Sequence, residues 1–230
     1  YEEMQPFVAT IKQQHMDILD HAKMRQEFTA NVSHELKTPL TAISGYAELI
    51  SSGMTDEADT RHFADEIHSN AERLQTLIND IIQLSELDND HLKLEFEAVD
   101  LYELAQNAAS MLQVTAEKNE VSVDVRGESV MLSGSKTLLE ELVYNLCSNA
   151  VRYNKRGGSV TITTAEEDGR PMLVVEDTGI GIPKEQQERV FERFYRVDKS
   201  RSKQTGGTGL GLAIVKHIVA QHNAKITLES

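Results

Sequence analysis

Apolar residues recur along the first ninety positions at alternating steps of three and four, the spacing of amphipathic helices packed along a seam. Met4, Val8, Ile11, His15, Ile18, Ala22 and Arg25 trace a weak coiled-coil stripe with polar breaks at His15 and Arg25. The stripe resumes as Val32, Leu36, Leu40, Ile43, Ala47 and Ile50, with Val32, Leu36 and Leu40 expected on the core face. Residues 51–56, SSGMTD, carry a helix stop followed by a good N-cap, which predicts a tight connection. A second helix follows with a cleaner seam of Phe63, Ile67, Asn70, Leu74, Leu77, Ile81 and Leu84. Each helix carries more apolar surface than one neighbour can cover. Pairing of the hairpin with a second copy into a dimeric four-helix bundle would bury the remainder.

The pattern changes near residues 86–100. Beyond it, strand-like runs (121–125, 160–164, 172–175 and 225–228) alternate with helical ones (101–117, 136–153 and 210–222). This predicts a separate mixed α/β domain after the hairpin and an α+β chain overall. Residues 199–208 are polar and glycine-rich and read as a mobile loop.

Composition narrows the function classes. The net charge of −14, from 37 acidic and 23 basic residues, argues against a general nucleic-acid binder, which needs a basic face. Cys147 is the single cysteine, so no intrachain disulfide can form and a reducing compartment is expected. No apolar run reaches the length that spans a bilayer, and no signal peptide is visible. The helical pattern already runs at Tyr1, so the chain reads as part of a longer protein.

Four segments carry candidate chemistry. In Phe28-Thr29-Ala30-Asn31-Val32-Ser33-His34-Glu35-Leu36-Lys37-Thr38-Pro39-Leu40, His34 and Thr38 share a helix face, with Glu35 beside the histidine. A neutral imidazole next to a carboxylate is a competent nucleophile, and equally an ordinary surface histidine beside an acid. A zinc helix is ruled out because Thr38 stands where a second His would be needed. Pro39 removes a backbone donor and is expected to bend the helix. Glu141, Asn145 and Asn149 follow at four-residue spacing, with Arg152 and Tyr153 one turn on. This is either a wet face or a row of oxygen ligands for Mg2+ bridging a triphosphate, with Arg152 neutralising phosphate charge. Asp177-Thr178-Gly179-Ile180-Gly181 follows an apolar strand; it fits an adenine contact and also describes common turns. Gly207-Thr208-Gly209-Leu210-Gly211-Leu212 leads into a helix whose first amides form a phosphate cradle. It is neither the dinucleotide fingerprint nor the P-loop. Between these lies Phe191-Glu192-Arg193-Phe194-Tyr195-Arg196, whose aromatics can anchor a lid while Arg196 reaches a phosphate.

Taken in order and spacing, these segments resemble the boxes of the sensor histidine kinases of two-component systems, from about Arg25 to the end. His34-Glu35-Leu36-Lys37-Thr38-Pro39 is similar to the phosphoacceptor box, and Glu141 through Tyr153 to the asparagine box. Asp177-x-Gly179-x-Gly181 and Gly207–Leu212 are similar to the two glycine boxes, and residues 191–196 to the phenylalanine box. The flanks, Phe28 to Ser33 and Phe194 to Asp198, resemble phosphate-responsive or cell-wall sensor kinases of Gram-positive bacteria.

The resemblance implies a signalling helix over 1–24 and a dimerisation and phosphotransfer hairpin over 25–90. A catalytic ATP-binding domain with a Bergerat-type α/β sandwich fold would occupy 91–230. It implies ATP and Mg2+, with Asp177 selecting adenine and Asn145 holding the metal with help from Glu141. Asn149, Arg152, Tyr153 and the Gly207–Leu212 loop, including Thr208, Gly209, Leu210 and Gly211, would hold the phosphates. His34 would accept the γ-phosphate with Glu35 and Arg196 assisting, then pass it to an aspartate of a response-regulator receiver domain. Thr38 would orient the water of a phosphatase reaction on that regulator. The parent protein would be membrane-anchored, with this soluble portion at the cytoplasmic face of the plasma membrane. Arg152 stands where a lysine is commoner, Asn223-Ala224 replaces a glycine pair, and the usual last strand after Ser230 is expected to be missing. Two rival readings are a stand-alone ATPase of the gyrase or mismatch-repair class and a nucleotide-binding scaffold without chemistry.

Overall fold

A computed structural model describes residues 5–88, 94–197 and 207–230. It divides into two compact units, Tyr1–Leu77 and Ile78–Ser230.

The first unit is the helical hairpin. Helix α1 (Gln5–Ser51) runs on through Pro39, whose ring is buried, so the missing donor does not end the helix. Gly53 adopts a left-handed φ of 68° and closes the connection, and Asp56 Oδ1 caps helix α2 (Glu57–Leu87) by accepting from the Asp59 amide at 2.8 Å. Tyr46 stacks on Phe63 with ring centroids 5.3 Å apart. The seam of α2 is half-buried or buried throughout. Leu40 departs from expectation: it is 55% exposed, while Val32 and Leu36 are half-buried. A single hairpin partner covers one stripe of a helix, and Leu40 lies off it. The coiled-coil stripe from Met4 has its first residue, and the side chains of Val8, Ile11 and Ile18, outside the described residues; so are residues 199–206 of the glycine-rich loop.

The second unit contains the last turns of α2, strands β1 (Glu97–Asp100), β2 (Ser122–Gly127), β3 (Met131–Gly134), β4 (Ser159–Glu167) and β5 (Arg170–Asp177), and helices α3 (Leu101–Lys118), α4 (Lys136–Arg152) and α5 (Gly211–Gln221). One sheet has the order β2-β4-β5, with β2 parallel and β5 antiparallel to β4; β1 and β3 form a separate antiparallel pair. Helices α3 and α4 lay Leu104, Ala105, Ala108, Leu112, Val143, Cys147 and Val151 against Val160 and Ile162 of β4. Ala213, Ile214, Val215 and Ile218 of α5 are buried, and α5 packs on α4. This is an α/β layer of the expected type.

The run 225–228 does not join the sheet. Ile226 and Leu228 keep an alternating half-buried pattern, but no backbone ladder forms. Period-two alternation predicts an extended chain and says nothing about which edge will pair with it.

Candidate functional site

Helix α4 supplies one wall of the site. Its apolar positions Leu139, Val143, Cys147 and Ala150 are committed to the core. That turns Glu141, Asn145, Asn149 and Arg152 to the other side, where each is half-buried. Asn145 Nδ2 donates to the Glu141 carbonyl at 3.1 Å. Its Oδ1 faces Gly211 so closely that a Cβ there would lie 2.7 Å away, with Asn149 Nδ2 at 3.9 Å. At Gly207 the same construction meets Tyr153 Oη at 2.9 Å and Arg152 Nη1 at 3.4 Å. The second glycine loop therefore lies against the polar face of α4. Leu210 is fully buried and anchors the loop, while the first amides of α5 follow directly. Leu212 is half-buried beside it.

The first glycine loop is tied to the end of the same helix. Asp177 Oδ1 accepts from the Gly179 amide at 2.8 Å, and the Ile180 amide donates to the Tyr153 carbonyl at 3.2 Å. A Cβ at Gly179 would come within 2.5 Å of that carbonyl, so the close approach requires glycine. Gly181 is left-handed, and the neighbouring Ile182 amide donates to Ser230 Oγ at 2.7 Å. The aromatic segment closes on the second loop: the Phe194 amide donates to the Gly209 carbonyl at 2.8 Å. Both residues are left-handed (φ 62° and 75°), and a left-handed bulky residue marks a conformation held by its surroundings. Arg196 Nε lies 3.3 Å from the position a Gly209 Cβ would take.

The structure thus gathers Glu141, Asn145, Asn149, Arg152, Tyr153, both glycine loops and Arg196 into one region of the second unit. The phosphoacceptor segment lies in the first. The His34 side chain is 81% exposed, as its helix position requires. Thr38 Oγ1 donates to the His34 carbonyl at 3.2 Å. Glu35 Oε1 is 3.9 Å from His34 Nδ1, on the correct edge of the ring but beyond hydrogen-bond range.

Several contributors escaped the sequence reading. Arg73 Nη2 lies 3.5 Å from Glu35 Oε2 and restrains the carboxylate. Asn154 joins three elements: Nδ2 donates to the carbonyls of Ala150 (3.2 Å) and Ser159 (3.0 Å), and Oδ1 accepts from Thr178 Oγ1 (3.2 Å). It sets the exit of β5, and hence Asp177, against the end of α4. Asn154 adjoins the asparagine box, and its type suits a helix terminus, but no spacing announces its partners. Asp80 and Gln83 of α2 also reach the site: Thr208 Oγ1 donates to Asp80 Oδ2 at 2.6 Å, and Gln83 Nε2 donates to Glu141 Oε2. Burial raises the Glu141 carboxyl above the usual range, with Asp80 adding to the rise and the hydrogen bonds from Gln83 and Asn145 opposing it. Burial pushes the Cys147 thiol up to about 12, which makes it a packing residue.

Residues 24–90 match the model of the His Kinase A (phospho-acceptor) domain, and residues 134–230 that of the histidine kinase-, DNA gyrase B- and HSP90-like ATPases. The chain is 31% identical to the solved mycobacterial sensor histidine kinase MprB over 81% of that chain and 56% of this one, at a TM-score of 0.50. The chain belongs to the sensor histidine kinase family. Among solved members, the Acinetobacter baumannii histidine kinase AdeS superposes at a TM-score of 0.64 with 25% identity, covering 81% of this chain and 86% of that one. Among curated members, the sensor-like histidine kinase SenX3 of Mycolicibacterium smegmatis is 42% identical over 93% of this chain. The phosphate regulon sensor protein PhoR of Pseudomonas aeruginosa is 38% identical over 90%. The chain spans 57% of the SenX3 relative and 47% of PhoR, so it corresponds to the catalytic core of such a histidine kinase. Among the described residues, no helix of this kinase core is long and apolar enough to cross a membrane.

Proposed function

We propose that this chain transfers the γ-phosphoryl group of ATP to His34 and then to an aspartate of a response-regulator receiver domain. The observation that carries the reading is the packing of Asn145 against Gly211, and of Arg152 and Tyr153 against Gly207. It presents oxygen ligands, a cation and helix N-terminal amides on one cradle that a Cβ would fill.

The donor set fits Mg2+, a hard cation that takes one or two protein oxygens and completes its shell from phosphates and water. Asn145 Oδ1 and Glu141 would hold it; when bound, it neutralises charge on the phosphoryl oxygens. Arg152, Asn149, Tyr153 and the 207–212 loop bind and orient the triphosphate, and Asp177 accepts from the adenine amino group. At His34, Glu35 faces Nδ1. Holding the ring proton on that edge leaves the Nε2 lone pair outward as the nucleophile. The new P–N bond forms there as the bond from the γ-phosphorus to the bridging oxygen breaks, with ADP leaving and Glu35 receiving the proton. Arg196 offsets the developing charge. Thr38, on the His34 face, suits a water-positioning role in dephosphorylating the regulator.

The same reading assigns 1–24 to a signalling helix, 25–90 to phosphotransfer and 91–230 to ATP binding. The exposed Leu40, Met24 and Leu49 on α1 support a homodimer through the hairpin. The likeness to sensor kinases supports reading the parent protein as membrane-anchored, with this portion at the cytoplasmic face of the plasma membrane.

The test is incubation with γ-labelled ATP and Mg2+, followed by acid and alkali challenge, beside His34→Ala. Label that survives alkali, is lost in acid and is absent from the variant is expected. ATP hydrolysis with no label on protein would instead favour a stand-alone ATPase.

A further inference from the structure

The last turns of α2 place one helix face on the second unit. Asp80, Gln83, Leu84, Leu87 and Asp88 recur at helical spacing. Leu84 and Leu87 are buried and root the segment. At its lower end, Arg193 Nη2 donates to Asp88 Oδ1 at 2.6 Å, with His217 Nδ1 3.7 Å from the same oxygen, and Gln221 Nε2 reaches the Leu87 carbonyl at 3.5 Å. At its upper end the contacts differ in kind, because both are made to groups of the nucleotide site. Thr208 Oγ1, 8% exposed, donates to Asp80 Oδ2 at 2.6 Å, and the field of Arg152 acts on the same carboxylate. Gln83 Nε2 is spent on Glu141 Oε2.

A carboxylate that accepts from the Thr208 hydroxyl, within the field of the Arg152 guanidinium, makes the hydrogen bond a phosphate oxygen would make there. We propose that Asp80 and Gln83 form an autoinhibitory latch, in which the Asp80 carboxylate takes the place of a nucleotide phosphate and Gln83 takes up the Glu141 carboxylate. The proposal rests on the assignment of the 207–212 loop and α4 to phosphate and Mg2+ binding. Triphosphate and latch cannot both hold Thr208, and two anions on one site repel. Apparent nucleotide affinity is therefore the intrinsic affinity reduced by the fraction of molecules with the tip withdrawn. The latched arrangement also carries its own cost: Asp80 is pushed above the usual carboxylate range by burial, against the pull of Thr208 and Arg152, and it lies near enough to Glu141 for the two acids to repel. Leu84 and Leu87 keep the segment rooted whether or not the tip is engaged. Any movement of α2 that draws Asp80 away raises ATP affinity at the site.

Calorimetric titration of this chain with a non-hydrolysable ATP analogue and Mg2+, and separately with adenosine, tests the proposal in wild type, Asp80→Ala, Asp80→Asn and Gln83→Ala. Asp80→Ala is expected to bind the triphosphate about tenfold tighter, the scale of one charge-assisted hydrogen bond released. Asp80→Asn should lie between, since it removes the charge and keeps the shape, and it controls for misfolding. Adenosine, which has no phosphate to compete, should bind all four alike. Triphosphate affinity in Asp80→Ala and Asp80→Asn that is equal to or weaker than wild type overturns the latch, as does an equal gain for adenosine. Failure of every form, wild type included, to bind the analogue overturns the nucleotide-site assignment and the latch with it.

Discussion

Replacing Gly211 with Ala separates the chemistry of this site from the stability of its fold. In α5 the substitution removes the backbone entropy of glycine, worth roughly 0.5–1 kcal/mol of stabilisation in a helix. The new Cβ would lie 2.7 Å from Asn145 Oδ1. Favourable contact needs about 3.5 Å, so the carboxamide must retreat by roughly 0.8 Å or rotate away. Rotation also gives up the Asn145 Nδ2 bond to the Glu141 carbonyl, 3.1 Å long, a loss of about 1 kcal/mol. The two stability contributions nearly cancel, and the urea midpoint should stay close to wild type. Catalysis has no such compensation. Misplacing a positioning group by nearly 1 Å costs on the order of 100-fold, or about 2.7 kcal/mol of transition-state stabilisation. Single-turnover labelling of His34 as a function of Mg2+ is the assay. The variant should be slower by about that factor and need more Mg2+, while adenosine binding stays unchanged because Asp177 and Gly179 sit at the other loop. A variant that labels His34 at the wild-type rate with the wild-type Mg2+ dependence would refute the placement of Asn145 as the metal-facing oxygen.

Asn154→Ala should lower stability by about 2 kcal/mol, since it strips partners from the Ala150 and Ser159 carbonyls and from Thr178; chemical denaturation measures it, and a shift under 0.5 kcal/mol would contradict the role. Glu35→Gln should slow His34 labelling about 10- to 100-fold while leaving affinity for the ATP analogue unchanged, because the carboxylate acts on the imidazole and not on nucleotide; equal labelling rates would remove Glu35 from the reaction. Asp100 caps α3 and is held below the usual carboxylate range by the Ser129 hydroxyl (2.7 Å), against a smaller opposing effect of burial and with help from the Tyr102, Val130 and Glu103 amides. A depressed folded-state pKa contributes stability above the unfolded carboxylate value that is lost as pH falls through the folded one. The gap in urea midpoint between wild type and Asp100→Asn should therefore be widest near neutrality and close below about pH 4; a gap independent of pH would exclude the titration.

The contrast between what was legible and what was not follows from range. Helix α4 could be read to within a residue, because Leu139, Val143 and Cys147 repeat at local spacing and leave Glu141, Asn145 and Asn149 on the opposite face. The hairpin turn was legible in Gly53 and Asp56 for the same reason. The pair β1 and β3 was not: Glu97-Ala98-Val99-Asp100 has one buried apolar residue, and its partner lies more than thirty positions away. The run 225–228 shows the converse error, a correct extended pattern without a pairing edge.

The site divides along the same line. Its motifs are local, so Gly207 to Leu212 and Asp177 to Gly181 could be found by spacing, but the residues that set them against one another could not. Asn154 reaches Thr178 across 24 positions, Glu35 meets Arg73 across 38, and Asp80 meets Thr208 across 128. Asn154, Arg73 and Asp80 are each an unremarkable polar residue in its own segment. What distinguishes Asp80 is that the loop it contacts is the one whose glycines were already assigned to phosphate. A motif therefore marks where a ligand is held, and the non-local partner of that motif marks what competes for the hold. Asp80, an acid on a neighbouring helix and invisible to any spacing rule, is thus the group whose removal should change nucleotide affinity by freeing Thr208 rather than by altering it.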